Sequence, residues 1–360
     1  MITIPETGEA VIVDCIDADA VLRYLSDQSI KHVRGLIITH LHQDHFKDAN
    51  VFLKMCASVL NTPCETVLFN WPLSRSSRAL DRYLSDPDGH SEMSEIAKIN
   101  RLNRRTAYEN LKAFAAEHED EDLCKPLLRG DHHPIFDGAF CEVIELLQPS
   151  HGLMGSLLEY GLNNTSGILR IQGTGTSALL TGDIEPTGWR QLITKTDPAA
   201  DVLKFPHHGA WSESDVSAIL DTVKPSVVVI SVGTDANKKY KHPNTHVLQA
   251  IKHRNIHMLC TEATDQCEAN VRNQQQSLHH YHEIAARAKS YLPLLSPRGC
   301  PCAGTVIIEL GDSVRILQPD MRLHHDLIEG HLRTAQCGIG YTNDTQPLEA
   351  ASRVSETTET

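Results

Sequence analysis

The stretch IITHLHQDHF, residues 37–46, places His40, His42, Asp44 and His45 within six positions at the end of an aliphatic run. Histidine is abundant in this chain, 21 of 360 residues, so some clustering is expected by chance. Chance does not account for the position, because GLIITH reads as a buried strand and the four donors fall where that strand gives way to a loop. There, neutral imidazoles and a carboxylate can turn toward one point, and a borderline metal such as zinc accepts nitrogen and oxygen donors together. The chemistry expected of these four residues is metal coordination.

Further candidates also follow strand-like runs. His151 stands after IELLQPS, Asp183 closes SALLTGD, His207 and His208 sit in DVLKFPHHGAWSE, and His242 lies in KYKHPN. Singly, each has an ordinary reading as a turn histidine, a helix-capping aspartate or a surface pair. Together they read as strand-end loops converging on one edge of an α/β structure. Two cations about 3.5–4 Å apart at such an edge lower the pKa of a shared water toward neutrality and clamp attacking and leaving oxygens. A bridging carboxylate would hold the separation, and a nearby imidazole could protonate the departing alkoxide.

The elements that must position these residues alternate along the chain. AVIVDC reads as a strand, DADAVLRYLSDQSI as a helix and GLIITH as the next strand, with ETVLFN as another. CEVIELLQP, SGILRIQ, SALLTGD, DVLKFPHH, SVVVISVG, HMLCTE and GTVIIEL are short β-branched runs. One α/β domain over residues 1–342 is expected, with helical insertions at about 72–122 and 268–294 and a disordered tail at 343–360. The triplet His279, His280 and His282 in the second insertion reads as a solvated helix face. Cys300 and Cys302 in RGCPCAG read as packing at the start of a strand, since no second pair accompanies them. The ten cysteines lack the density of a disulfide scaffold.

The opening MITIPETGEAVIVDC has no basic, apolar leader pattern, and no window reaches the roughly 18 apolar residues of a membrane span. The expectation is a soluble, cytoplasmic protein with reduced thiols and no membrane association. A formal charge of −13 argues against tight, non-specific binding of a polyanion, though not against a phosphate substrate.

The H-x-H-x-D-H turn, the later TGD and the PHHG together resemble the metallo-β-lactamase fold of metal-dependent hydrolases. Within it, NNTSGILRI, SALLTGDIE, DVLKFPHHGAWSE, PSVVVISVG and KHPN are similar to the metallo-hydrolase domain of ComEC-type competence proteins and their free-standing relatives. The similarity covers roughly residues 10–310, with the two helical insertions as departures. It implies a four-layer αβ/βα sandwich with a dinuclear zinc site, manganese being an alternative. It implies His40, His42 and His151 on one ion, Asp44, His45 and His208 on the other, and Asp183 bridging. Many ComEC-type domains lack a histidine at the place of His151, and either His208 or His242 could complete the second ion. Asp44, His207 and His242 are the catalytic candidates, the two histidines as phosphate contacts or proton donors.

The resemblance implies hydrolysis of phosphodiesters, and in other relatives of thioesters or lactams. The leading expectation is a zinc-dependent phosphodiesterase or nuclease acting on DNA or RNA. The basic residues for it are Arg101, Arg104 and Arg105, with Lys238, Lys239 and Lys241, unless these are ordinary solvated faces. The alternatives are hydrolysis of a small phosphodiester, such as a cyclic nucleotide or phosphocholine-type ester, and a metal-stabilised interaction protein that docks a partner through its helical insertions.

Overall fold

The computed structural model describes residues 1–40, 42–69, 109, 113, 123–127, 132–133, 144–148, 163–234, 241–268, 270–288, 299–332 and 334–337. His151, the basic clusters except Lys241, most of the first insertion and the expected tail lie outside these residues. The chain divides into two compact units, residues 1–169 with 182–192, and residues 170–181 with 193–360.

In the first unit, β1 (Ile2–Ile4), β2 (Glu9–Val13), β3 (His32–Ile38), β4 (Val67–Phe69) and β5 (Cys124–Pro126) form a sheet in that order. β1 is antiparallel to β2 and the remaining pairs are parallel. Helix α1 (Ala18–Asp27) starts at Asp17, whose side chain accepts from the Ala20 N–H. The short α2 (Gln43–Phe46) and α3 (Ala49–Val59) follow β3. Ala10 and Ile12 of β2 and Leu36 and Ile38 of β3, alternate residues on one sheet face, join Leu22, Leu25 and Phe52 of the helices in one apolar cluster. Val11 and Ile37, on the opposite face, are also fully buried. Burial of both faces is why these strands read as continuous apolar runs.

Two further strands of this unit, β6 (His132–His133) and β7 (Ile144–Gln148), pair antiparallel. β8 (Ile168–Gln172) then carries the chain into the second unit. After β9 (Ser177–Leu180) the chain returns to the first unit with α4 (Pro186–Ile193).

The second unit builds a parallel run from β9, β10 (Val202–Lys204), β11 (Val227–Ile230) and β12 (His257–Cys260). Between the strands lie α5 (Glu213–Val223) and α6 (Thr245–His253). Val216, Ile219, Leu220 and Val223, at helical spacing, are buried. Helix α7 (Gln275–Ala288), the antiparallel hairpin β13 (Ile307–Leu310) and β14 (Val314–Gln318), and α8 (Met321–His331) complete the unit.

The molecule is thus mixed α/β with parallel-rich sheets and helices. No helix among the described residues is long and apolar enough to cross a membrane. One expectation is corrected: the histidines of α7 are not a solvated face. His280 is exposed, but His282 is buried and its Nε2 donates to the Cys302 carbonyl at 2.7 Å, while His279 Nε2 donates to the Gly299 carbonyl at 3.0 Å.

Candidate metal centre

The parallel register of β2 on β3 pairs Val13 with Ile37, so the residues just past both strand ends meet. Asp14 takes φ 58°, a left-handed conformation that Asp tolerates better than most residues. Its carboxylate turns toward β3 and accepts from the Thr39 N–H and the Thr39 hydroxyl, both at 2.8 Å. Asp14 Oδ2 also accepts from His45 Nδ1 at 2.6 Å. Because Thr39 Oγ1 spends its proton on Asp14, it accepts from His40 Nδ1 at 3.2 Å, which leaves the lone pair of His40 on Nε2.

His40 Nε2 lies 3.2 Å from His42 Nδ1. Two nitrogens bound tetrahedrally to one zinc at 2.0–2.1 Å stand about 3.3 Å apart, so this pair already has the spacing of two ligands on one ion. Beside it, Asp44, His45 and Asp183 present ligand atoms within 4.8 Å of one another. His45 Nε2 is 3.3 Å from Asp183 Oδ2, and the His40 and His45 ring centroids are 4.0 Å apart. His40, His45 and Asp183 are buried, His42 is half-buried and Asp44 is exposed.

Burial alone would push the His45 pKa down, but the charges of Asp14 and Asp183 and the hydrogen bonds to them outweigh it and raise the value to about 10. Without an ion, His45 is therefore an imidazolium held between two carboxylates. A metal must displace that proton to use Nε2.

Asp183 is placed by residues that carry no chemistry of their own. Gly182 has φ 52°, and a Cβ there would come within 2.7 Å of the Ser166 Cβ and 3.3 Å of Thr39 Oγ1. The missing side chain lets Ser166 Oγ accept from the Asp183 N–H at 2.9 Å. Asn164 Oδ1 accepts from the Glu185 and Gly188 N–H groups at 3.1 and 3.0 Å, holding the start of α4. Hence NNTSG and TGDIE work as one clamp. Sequence reading singled out Asp183 but not Asp14, Thr39, Asn164 or Ser166; the signal for Asp14 was its place at the end of AVIVDC.

In the second unit, β10 runs through Phe205 into the turn Pro206–Gly209. His207, His208 and Gly209 take φ of 48°, 52° and 78°, and a Cβ on Gly209 would meet the Pro243 Cβ at 2.6 Å. Asn244 secures the loop by donating to the carbonyls of Ala210 and Trp211. His208 Nδ1 donates to the Ser231 carbonyl at 2.7 Å, so its lone pair is on Nε2, the tautomer a metal requires. The His207 and His242 ring centroids are 5.9 Å apart. The expected residues of this unit therefore gather at one place, on the loops after β10 and β11.

No family model matches the chain. It is similar to ComE operon protein 3 of Bacillus subtilis (strain 168), 26% identical over 251 residues, which are 69% of this chain and 26% of that protein. It is also similar to Competence protein ComA of Neisseria gonorrhoeae, 33% identical over 102 residues, 28% of this chain and 14% of that one. The chain carries a weak similarity to ComEC-type competence proteins. It spans about a quarter or less of the length of these curated relatives.

Proposed function

We propose that the chain is a metal-dependent hydrolase of phosphodiesters, specifically a nuclease, built as a four-layer αβ/βα sandwich around two zinc ions, with manganese as the alternative. The observation that carries this is the donor set Asp44, His45 and Asp183 within 4.8 Å beside the His40–His42 pair at 3.2 Å. On this reading His40, His42 and His151 hold one ion, and Asp44 and His45 hold the other with His208. Asp183 bridges them. The fixed tautomer of His208 favours it over His242 as the remaining donor.

Bound ions would supply Lewis acidity and a nucleophile at neutral pH. The chain's own part is orientation and charge. Asp14 fixes the His45 ring and Thr39 fixes that of His40. His207 and His242, paired in the second unit, are assigned to a phosphate oxygen and to protonation of the leaving oxygen.

Similarity to a competence protein supports nucleic acid as the substrate class. The −13 charge favours a small phosphodiester instead. The experiment compares bis(p-nitrophenyl) phosphate, a cyclic nucleotide, single- and double-stranded DNA, and RNA under zinc and manganese. Metal-dependent cleavage of a polynucleotide bears out the proposal, cleavage of the small esters alone favours the second reading, and no turnover by the metal-loaded protein leaves an interaction protein whose insertions dock a partner.

A further inference from the structure

His45 and Asp183 are 138 positions apart in the chain, yet His45 Nε2 and Asp183 Oδ2 stand 3.3 Å from each other in the first unit. The short turn Asn163–Thr165 and the two residues after it touch the elements that carry both. Gly167 N–H donates to the Thr39 carbonyl at 2.7 Å, and Ser166 Oγ accepts from the Asp183 N–H at 2.9 Å. Thr39 in turn holds His40 Nδ1 and the Asp14 carboxylate. The place of this turn therefore sets how far Asp183 stands from the imidazoles.

Glu185, two residues beyond Asp183, holds the turn. Its Oε1 accepts from Asn163 Nδ2 at 2.9 Å and its Oε2 from Asn164 Nδ2 at 3.2 Å, one carboxylate oxygen for each amide. Its N–H donates to Asn164 Oδ1 at 3.1 Å, and the Gly188 N–H donates to the same oxygen at 3.0 Å. Two backbone N–H groups on Oδ1 fix which end of the Asn164 amide is the donor. A carboxylate, which accepts on both oxygens, then matches the two NH2 groups that face it. Asn164 is buried, and Asn163 and Glu185 are half-buried.

The Glu185 carbonyl also accepts from the Trp189 N–H at 3.0 Å and so opens the α4 ladder. Starting that helix accounts for the main-chain bonds of Glu185 and for the Asn164 oxygen. It does not account for a carboxylate spread over two side-chain amides. Glu185 is also not among the donors gathered at Asp44, His45 and Asp183.

We propose that Glu185 is a positioning residue of the candidate metal centre, its carboxylate gripping the Asn163–Asn164 pair and so fixing the spacing of Asp183 from His45. This rests on the metal-dependent reading of the site given above, and it adds a residue that acts through the turn.

The test is the zinc affinity of the full-length protein, measured by competition with a chromophoric chelator, with the unfolding midpoint of the metal-free protein followed alongside. Glu185→Gln sets an NH2 group against an asparagine NH2, and affinity should fall about tenfold, the lower end of the loss when a partner behind a ligand is removed. Asn163→Asp sets two carboxylates against each other and should also lower affinity, although its added negative charge alone would raise affinity for a cation. Glu185→Gln/Asn163→Asp exchanges donor and acceptor at unchanged net charge and should recover most of the loss. Should Glu185→Gln fail to fold, Glu185→Asp, which keeps the charge and shortens the reach, should show the same fall.

Unchanged affinity in Glu185→Gln or Glu185→Asp, a gain in Asn163→Asp, or a paired variant no better than either single one would overturn the inference. A lowered midpoint with unchanged affinity would do so too, since it marks a residue that serves the fold alone. A wild type that binds no metal removes the hydrolase reading and this inference together. Metal binding without turnover of any diester, with the expected pattern of affinities, removes the hydrolase reading and bears the inference out.

Discussion

The two units group their titratable side chains by different chemistry. In the first, imidazoles and carboxylates meet at strand ends, and Asp44 is open to solvent. In the second, the five described thiols and His324 are buried. The first depends on charge balance between Asp14, His45 and Asp183, and the second on burial that keeps His324 neutral.

The largest effect should come from Asp183→Asn, which keeps the shape and removes the charge. A bridging carboxylate would serve both ions and offset their repulsion, so turnover should fall by about three orders of magnitude, with metal lost from the first unit. Near-normal turnover with two ions retained would break the contrast between the units. His151→Ala, by comparison, should weaken one ion only.

Next in size is Asp14→Asn. It leaves Thr39 a partner but weakens the clamp on His45, and loss of such an orienting carboxylate typically costs roughly 10–100-fold in metal affinity or activity. Zinc titration of the variant against wild type measures it; equal affinities would show that Asp14 serves only the backbone turn.

The effect of pH is smaller per step and has a definite sign. The metal-free His45 pKa is raised to about 10, so the proton is bound throughout the neutral range and must leave when an ion binds. Affinity at the Asp44, His45 and Asp183 set should therefore fall about tenfold for each unit of decreasing pH below that value, one proton being released per ion. Calorimetric titration in buffers of different ionisation enthalpy counts that proton. A pH-independent affinity would mean that His45 does not ligate through Nε2.

The smallest change is expected from Ser166→Ala, which leaves the buried Asp183 N–H without its acceptor, at a cost of about 1–3 kcal/mol in stability. Denaturant unfolding checks this, and a midpoint unchanged from wild type would show that Gly182 alone sets the turn.

The alternation of strands and helices, and the metal character of the turn at residues 40–45, follow from local pattern. Period, β-branching and donor spacing over a few residues carry that information, and the runs around β2, β3, β9, β10, β11 and β12 were legible for this reason. Which residues support the ligands was not legible. Asp14 reaches His45 across 31 positions and Ser166 reaches Asp183 across 17, and both contacts depend on strand register and a left-handed turn. Nor could spacing bring Cys302 to His324, 22 positions away, or show that His282 of α7 turns inward to the Cys302 carbonyl, since α7 looks like a polar helix in one dimension. Donor types are properties of the sequence, whereas their partners, tautomers and burial exist only once distant segments pack and exclude water.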